Sequence, residues 1–258
     1  VSPGPAAGGA APEARAIGHS LRVYYAPGRA AALDAFHARF LAPGELGFDI
    51  GAHVGDRSAS FRRLGARAVA VEPQPRLARL LRLLFGRDKG VARVAALVGA
   101  RAGQAQLRLN RANPTVATAS KAFIAAAQGA MGWEGQHWDA AVTLPVTTLD
   151  ALAEAHGTPD FIKIDVEGFE AEALSGLSRP VRALSFEFTL IQRPLALEAL
   201  RIAAALGPYR FNACLGEGMR FALPGPADAA ALALWLRSLP PEANSGDIYA
   251  SLDPARLA

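Results

Sequence analysis

Between Glu45 and Leu64 the chain runs from an apolar stretch into an acid, then glycines, then a helix, in the order ELGFDIGAHVGDRSASFRRL. Leu46, Gly47 and Phe48 lead into Asp49, and Gly51 and Gly55 punctuate the turn. Ala59, Phe61 and Leu64 then give the stretch Asp56–Leu64 an apolar side, which predicts a helix. Strand, glycine turn and helix in that order restrict the chain to few architectures. Glycine lets the backbone turn tightly and lets a ligand come close, and this is the context a nucleotide-binding loop requires.

The same order recurs downstream. Ala68 to Pro73 reads as a second buried strand ending in Glu72, and Pro75 to Phe85 as a helix with Leu77, Leu80, Leu81 and Leu84 together. Val91 to Leu97 is predicted as a third strand and Gln104 to Leu109 as an extra, half-exposed one. Val142–Val146 is a further strand, followed by a helix from Thr148 to His156 that is capped by Thr147 or Thr148. Asp160 to Asp165 is the fourth main strand, with Val166-Glu167-Gly168 as its exit turn and a helix from Phe169 to Leu177. Val181 to Phe188 is the fifth main strand, and Leu195–Leu206 and Ala227–Leu239 are helices. Tyr209–Leu215 and Met219–Leu223 read as a closing hairpin, and Asp247–Leu252 as an edge strand. Repeated strand–helix alternation implies a doubly wound α/β fold with a parallel sheet and right-handed crossovers.

Before the glycine turn, Val1–Gly18 is rich in Ala, Gly and Pro, and residues 1–20 are expected to be a flexible arm ahead of one domain at 21–258. Leu21–Tyr25 is predicted as a short strand and Ala30–Leu41 as a helix ended by Pro43-Gly44. The polar stretch 110–139, with Trp133 and Trp138, interrupts the alternation and is expected to be a lid or a substrate-facing insertion.

Composition removes several function classes. No apolar run reaches the length of a membrane span, so no membrane partner is expected. A single cysteine, Cys214, allows no internal disulfide and no cysteine metal cluster, which suits a reducing, cytoplasmic setting. The formal charge of +4 is carried almost entirely by arginine. No block of basic residues and no aromatic stacking motif accompanies it, so nucleic acid is not an expected partner.

Ligands of such sheets bind at the carboxyl ends of the strands. Asp49, Glu72 and Asp165 stand at predicted strand ends, with Glu167 just beyond. Glu72 lies about twenty residues past Gly51, the spacing at which an acid reaches both hydroxyls of a ribose. The turn lacks the third glycine of a dinucleotide loop and carries acids on both sides, Asp49 and Asp56. Carboxylates there repel a pyrophosphate but suit a cationic ligand. S-adenosylmethionine, with an ammonium, a sulfonium and no phosphate, is therefore the expected cofactor.

FDIGAHVGD at 48–56, VEP at 71–73, Thr148-Leu149-Asp150 and above all FIKIDVEGFE at 161–170 resemble the FkbM-type family of S-adenosylmethionine-dependent methyltransferases. The resemblance spans roughly Phe48 to Phe188. His53 stands where the family more often has Asn, and Asn113-Pro114-Thr115 where it often has a serine-rich stretch. It implies a class I methyltransferase (Rossmann-like) fold, a mostly parallel seven-stranded sheet whose last strand is antiparallel. It also implies methyl transfer to a hydroxyl of a sugar, glycan or small natural product. Carried onto this chain, Asp49, Gly51, Ala52 and Gly55 hold the methionine part. Glu72, followed by Pro73, takes the ribose; Ala96 and Leu97 lie near the adenine; and Asp165 and Glu167 flank the transferable methyl.

Removing the acceptor proton needs a base, and the candidates are Asp165, Glu167, Glu187 and His53. Asp165 with Glu167 offers two acids for a divalent metal but no clear third ligand, so no metal site is assigned. An N-methylating or RNA-modifying enzyme is the rival activity. Against it, Asp165-Val166-Glu167-Gly168 stands where an N-methylating Asn/Asp-Pro-Pro-aromatic tetrapeptide would. Outside enzymes, the rival is a subunit that holds cofactor without turnover in a biosynthetic assembly.

Overall fold

The computed structural model describes residues 10–258. The helices are α1 (Ala10–Tyr24), α2 (Arg29–His37), α3 (Asp56–Arg63), α4 (Pro75–Phe85), α5 (Lys121–Ala127), α6 (Leu149–His156), α7 (Glu170–Leu174), α8 (Arg193–Leu206) and α9 (Ala229–Ser238). The strands are β1 (Leu46–Ile50), β2 (Arg67–Val71), β3 (Val91–Val94), β4 (Leu97–Val98), β5 (Gly103–Leu109), β6 (Ala140–Thr147), β7 (Phe161–Ile164), β8 (Ala183–Thr189), β9 (Arg210–Leu215) and β10 (Ser245–Ser251).

Seven strands form the main sheet in the order β3-β2-β1-β7-β8-β10-β9. All neighbouring pairs up to β8 are parallel, and β10 runs antiparallel to both β8 and β9. This is the mostly parallel, doubly wound sheet with an antiparallel last strand. The central strands β1 and β7 are buried along their whole length, because helices cover both faces of the sheet. The largest core cluster joins β1, β7 and β8 to α6, α7, α8 and α9. On the other face Phe36, Phe40, Phe61, Phe161 and Tyr249 bring α2 and α3 against β7 and β10. The chain moves from β1 outward to β2 and β3, then returns to the far side of β1 with β7. The switch point therefore lies between β1 and β7, where Gly51 meets Asp165.

Five expectations change. Leu21–Tyr24 belongs to α1 rather than a strand, because the helix-forming context of Ala10–Arg22 outweighs the β propensity of Val23, Tyr24 and Tyr25. The expected arm is helical from Ala10, and its residues 1–9 lie outside the described residues. Met219–Leu223 forms no strand; it touches β9 through a single bridge at Phe221, and β9 pairs with β10 instead. Strand β10 is thus interior to the sheet, with Ile248 and Ala250 fully buried, and not an edge. The predicted third strand also divides: Val91–Val94 joins the main sheet, while Leu97–Val98 joins β5 and β6 in a separate three-stranded sheet. That small sheet has the alternating exposure of a surface layer. Among the described residues no helix is long and apolar enough to cross a membrane.

Candidate active site

The turns leaving β1, β2 and β7 meet, with Glu187 near the end of β8, at one cavity of about 950 Å³, including its mouth. Gly51 has φ of 84°, and a Cβ built there would lie 1.7 Å from the Asp165 carbonyl oxygen. Glycine at 51 is therefore required by the meeting of two strand ends. The Asp165 N–H donates to the Ile50 carbonyl (2.9 Å), locking the two turns together. Gly55 lies on the packing side of the turn. It does not line the cavity, and its Cβ would strike Phe85 (2.6 Å) and Leu81 (2.8 Å) of α4. It serves helix packing and starts α3 from a left-handed φ of 81°.

Asp49, Gly51, Ala52, Glu72, Pro73, Ala96, Leu97 and Asp165 all line the cavity, as do Glu167, Glu187 and His53. Asp49 is buried beneath the turn. Its Oδ2 accepts from the Ser58 N–H (2.9 Å) and hydroxyl (2.6 Å) in the first turn of α3, and burial raises its pKa to about 6. Glu72 is held on both oxygens. Oε2 accepts from the His53 N–H and Oε1 from the Gln74 N–H, each at 2.8 Å. Burial pushes the Glu72 carboxyl up to about 8. The two amides fix its plane, and the remaining lone pairs can accept from a diol.

The Asp165–Gly168 turn is the other wall. Glu167 has a left-handed φ of 53°, a conformation a glutamate adopts only when its surroundings impose it. The Thr118 hydroxyl donates to the Glu167 carbonyl (2.6 Å), and the Glu170 Oε1 accepts from the Val166 N–H (3.1 Å) and the Gly168 N–H (3.2 Å). A Cβ at Gly168 would meet Gln192 Oε1 at 2.4 Å. Held this way, Asp165, Glu167 and Glu187 each offer a carboxylate oxygen, all within 4.8 Å of one another. Glu187 is the third acid that the sequence reading of Asp165 and Glu167 lacked, and the trio has the oxygen donors a hard divalent cation takes. Burial, then the charge of neighbouring carboxylates, holds Glu167 and Glu187 well above the ordinary carboxylate range.

Beneath the trio lies Lys163, buried, with Nζ donating to Asp247 (2.7 Å) and to Asp165 (3.2 Å). Register explains the grouping. Lys163 pairs with Asp49 and Ser185, and Asp247 with Glu187, so neighbouring strands present these side chains on one face. His53 is a poorer base than its position suggested. Burial lowers its pKa to about 4, and its ring lies edge-on to Tyr24 at 5.4 Å.

Several residues that line or shape the site escaped the sequence reading. Tyr24, Arg57 and Glu217 line the cavity, with Glu217 bound by Arg57 and Arg29 (2.7 Å each). Glu170 was part of the FIKIDVEGFE string without a role; an acid two residues after a turn glycine is the signal that marks it. Trp133 and Trp138 do not reach the cavity: both pack edge-on against Phe123, and the Trp138 Nε1 donates to the Val116 carbonyl (2.8 Å).

The FkbM methyltransferase domain model matches residues 49–206, more than half of the chain and every wall described above except Glu217 and Tyr24. The chain belongs to the FkbM methyltransferase family. Its cofactor is S-adenosylmethionine. The site of this FkbM methyltransferase suits that group in two respects: the doubly held Glu72 presents acceptors for a ribose diol, and the preponderance of acids suits a ligand with two cationic centres. No curated protein matches the sequence.

Three solved structures are similar to this FkbM methyltransferase over most of their length. A TehB-like S-adenosylmethionine-dependent methyltransferase from Corynebacterium glutamicum aligns over 94% of this chain and 98% of its own, with 11% identity and a TM-score of 0.48. A precorrin-6y C5,15-methyltransferase from Geobacter metallireducens covers 86% of each chain at 15% identity and a TM-score of 0.44. An O-methyltransferase from Bacillus cereus, in complex with SAH, covers 93% of this chain and 91% of its own at 15% identity and a TM-score of 0.42.

Proposed function

We propose that this enzyme transfers a methyl group to a hydroxyl of a sugar, glycan or small natural product. The observation that carries the reading is the convergence of Asp165, Glu167 and Glu187 at the carboxyl ends of β7 and β8. S-adenosylmethionine supplies a methyl carbon already activated by its sulfonium. The protein's part is to align the acceptor and to remove its proton.

Among the three acids Asp165 is the proton acceptor. It is the one of the three whose carboxyl pairs with the Lys163 ammonium, at 3.2 Å, whereas Glu167 and Glu187 sit where burial and neighbouring carboxylates favour the protonated form. A protonated Glu167 or Glu187 donates a hydrogen bond and orients the acceptor oxygen. Glu72 and Asp49 hold the cofactor side. Cys214, free and buried, suits the cytoplasmic setting we infer.

The test is methyl release from S-adenosylmethionine in the presence of sugars, glycans and phenolic or aliphatic alcohols. We expect O-methylated product with at least one hydroxyl class. Asp165→Asn should lower turnover by about 10²-fold or more, the usual worth of a general base, with cofactor affinity within threefold of the parent. Equal losses in turnover and cofactor binding would give Asp165 a structural role. Methylation confined to amines or RNA would replace the hydroxyl reading.

A further inference from the structure

A second cavity, about 1130 Å³ including its mouth, lies between α1 and the loop at 112–115. Its α1 wall includes Arg15, His19 and Val23, and its other wall Asn113, Pro114 and Thr115. Tyr24, Pro114 and Thr115 line both this cavity and the first, so the two stand in series. Its walls are fixed at both ends. Glu13 pairs with Arg76 of α4 (2.8 Å), and the Tyr25 hydroxyl donates to the Val54 carbonyl (3.1 Å). Opposite, Gln74 Nε2 donates to the Pro114 carbonyl (2.9 Å), and Thr118 ties the same segment to Glu167.

The two cavities differ in charge. The ionisable lining of the inner one is dominated by carboxylates, among them Asp49, Glu72, Asp165, Glu167, Glu187 and Glu217. Among the described residues the outer one has no carboxylate in its lining, and its ionisable side chains besides Tyr24 are Arg15 and His19. Neither has a hydrogen bond or ion pair among the described residues, while Glu13, close by on α1, is committed to Arg76. Two uncommitted donors, one a permanent cation whose planar fork matches an oxyanion, therefore stand at the entrance to an acid-lined chamber.

We propose that the outer cavity is the acceptor subsite and receives an oxyanion carried by the acceptor, a phosphate or a carboxylate, on Arg15 and His19. The acceptor is then an anionic hydroxyl compound, with its reacting hydroxyl toward Asp165 and Glu167 and its anionic end held by α1. The polarity matches end to end: the neutral hydroxyl enters the acidic chamber, and the negative group stays in a lining that, among the described residues, holds no carboxylate, with Glu13 nearby paired to Arg76. This identification rests on the methyltransferase reading, since it gives the inner cavity to the cofactor.

Calorimetry with glucose, glucose 6-phosphate and glucuronate, titrated into the protein alone and into protein loaded with S-adenosylhomocysteine, tests it. At least one anionic probe should bind about tenfold or more tightly than glucose, and the phosphate and carboxylate arms separate the two sources of charge. Arg15→Ala combined with His19→Ala should weaken that binding at least fivefold and leave S-adenosylhomocysteine affinity within twofold. Both residues are solvent-accessible, so the fold should tolerate the change. Equal binding of all three probes, binding of none, or an unaffected double variant overturns the proposal. Failure of S-adenosylhomocysteine to bind the parent protein overturns the cofactor reading instead, and the titrations of unloaded protein still decide the outer cavity.

Discussion

Gly51 and Asp165 are where β1 and β7 come closest, and the site depends on that contact. A methyl group at 51 has no space, and its φ of 84° is unfavourable for any side chain. Gly51→Ala should therefore cost about 3 kcal/mol or more of stability in denaturant titration, a large effect for one methyl. Glu72 offers a cleaner functional test. Glu72→Ala removes the partner of both ribose hydroxyls, two hydrogen bonds worth about 0.5–1.5 kcal/mol each, so S-adenosylmethionine affinity should fall by about 5- to 100-fold in calorimetry. Unchanged affinity would take Glu72 out of the ribose role. Glu170 acts one step further back. In Glu170→Ala the Val166 and Gly168 amides lose their acceptor, whereas Glu170→Gln keeps an Oε1 in the same place. The alanine variant should lose about 1–3 kcal/mol and bind the cofactor less tightly, and the glutamine variant should restore most of both. Loss of both properties in the glutamine variant as well would mean that charge, not turn geometry, is what matters at 170.

At the scale of elements, what could be read from the sequence was what is local. The strand–turn–helix units at Leu46–Arg63, Arg67–Phe85 and Phe161–Leu174 announce themselves by apolar runs, terminal acids and turn glycines within a few residues. The acids at those strand ends were legible for the same reason, since a parallel strand delivers its last residue to the ligand edge. Strand β10 was not legible, because its place between β8 and β9 depends on partners far off in sequence. Nor was the role of α1, whose Tyr24 reaches His53 only after the chain has folded back over the glycine turn. Glu187 as third member of the acid cluster needed the register that sets it beside Asp247. Aromatic stacking shows how such distant elements are joined. Phe40 lies face to face with Phe161 of β7 (4.8 Å) and with Tyr249 of β10 (5.4 Å), just beyond α2. Phe40 is fully buried, so Phe40→Ala should destabilise by about 3–5 kcal/mol in thermal or chemical unfolding. A cost below about 1 kcal/mol would show that α2 is not anchored through this stack.

Taken as a whole, the molecule gathers more carboxyls than cations in its cavity, Glu72 fully buried and Glu167 and Glu187 partly so, and this couples its stability to pH. Glu72 has its pKa raised to about 8 in the folded state, and Glu167 and Glu187 are raised well above the ordinary range, burial being the main cause in all three. An acid raised in the folded state contributes its stability below its unfolded pKa and loses it as the pH climbs through the folded value. The buried histidines His37 and His53 act the opposite way. Their pKa values are lowered to about 3 and about 4, so they weaken the fold on acidification through the unfolded histidine range near 6.5. Above pH 7 the histidines are neutral in both states, and the raised acids set the slope, joined toward pH 9 by the buried Cys214 thiol, which burial pushes up to about 12. The melting temperature of the cofactor-free protein should therefore fall between pH 7 and pH 9. Glu72→Gln removes one of the three acids from the balance, so its profile should be shallower than the parent's over that interval. Melting curves of both proteins across these pH values decide the matter: a parent profile that is flat or rising means that the site's carboxyls ionise at their ordinary values, with water or ions already compensating their burial.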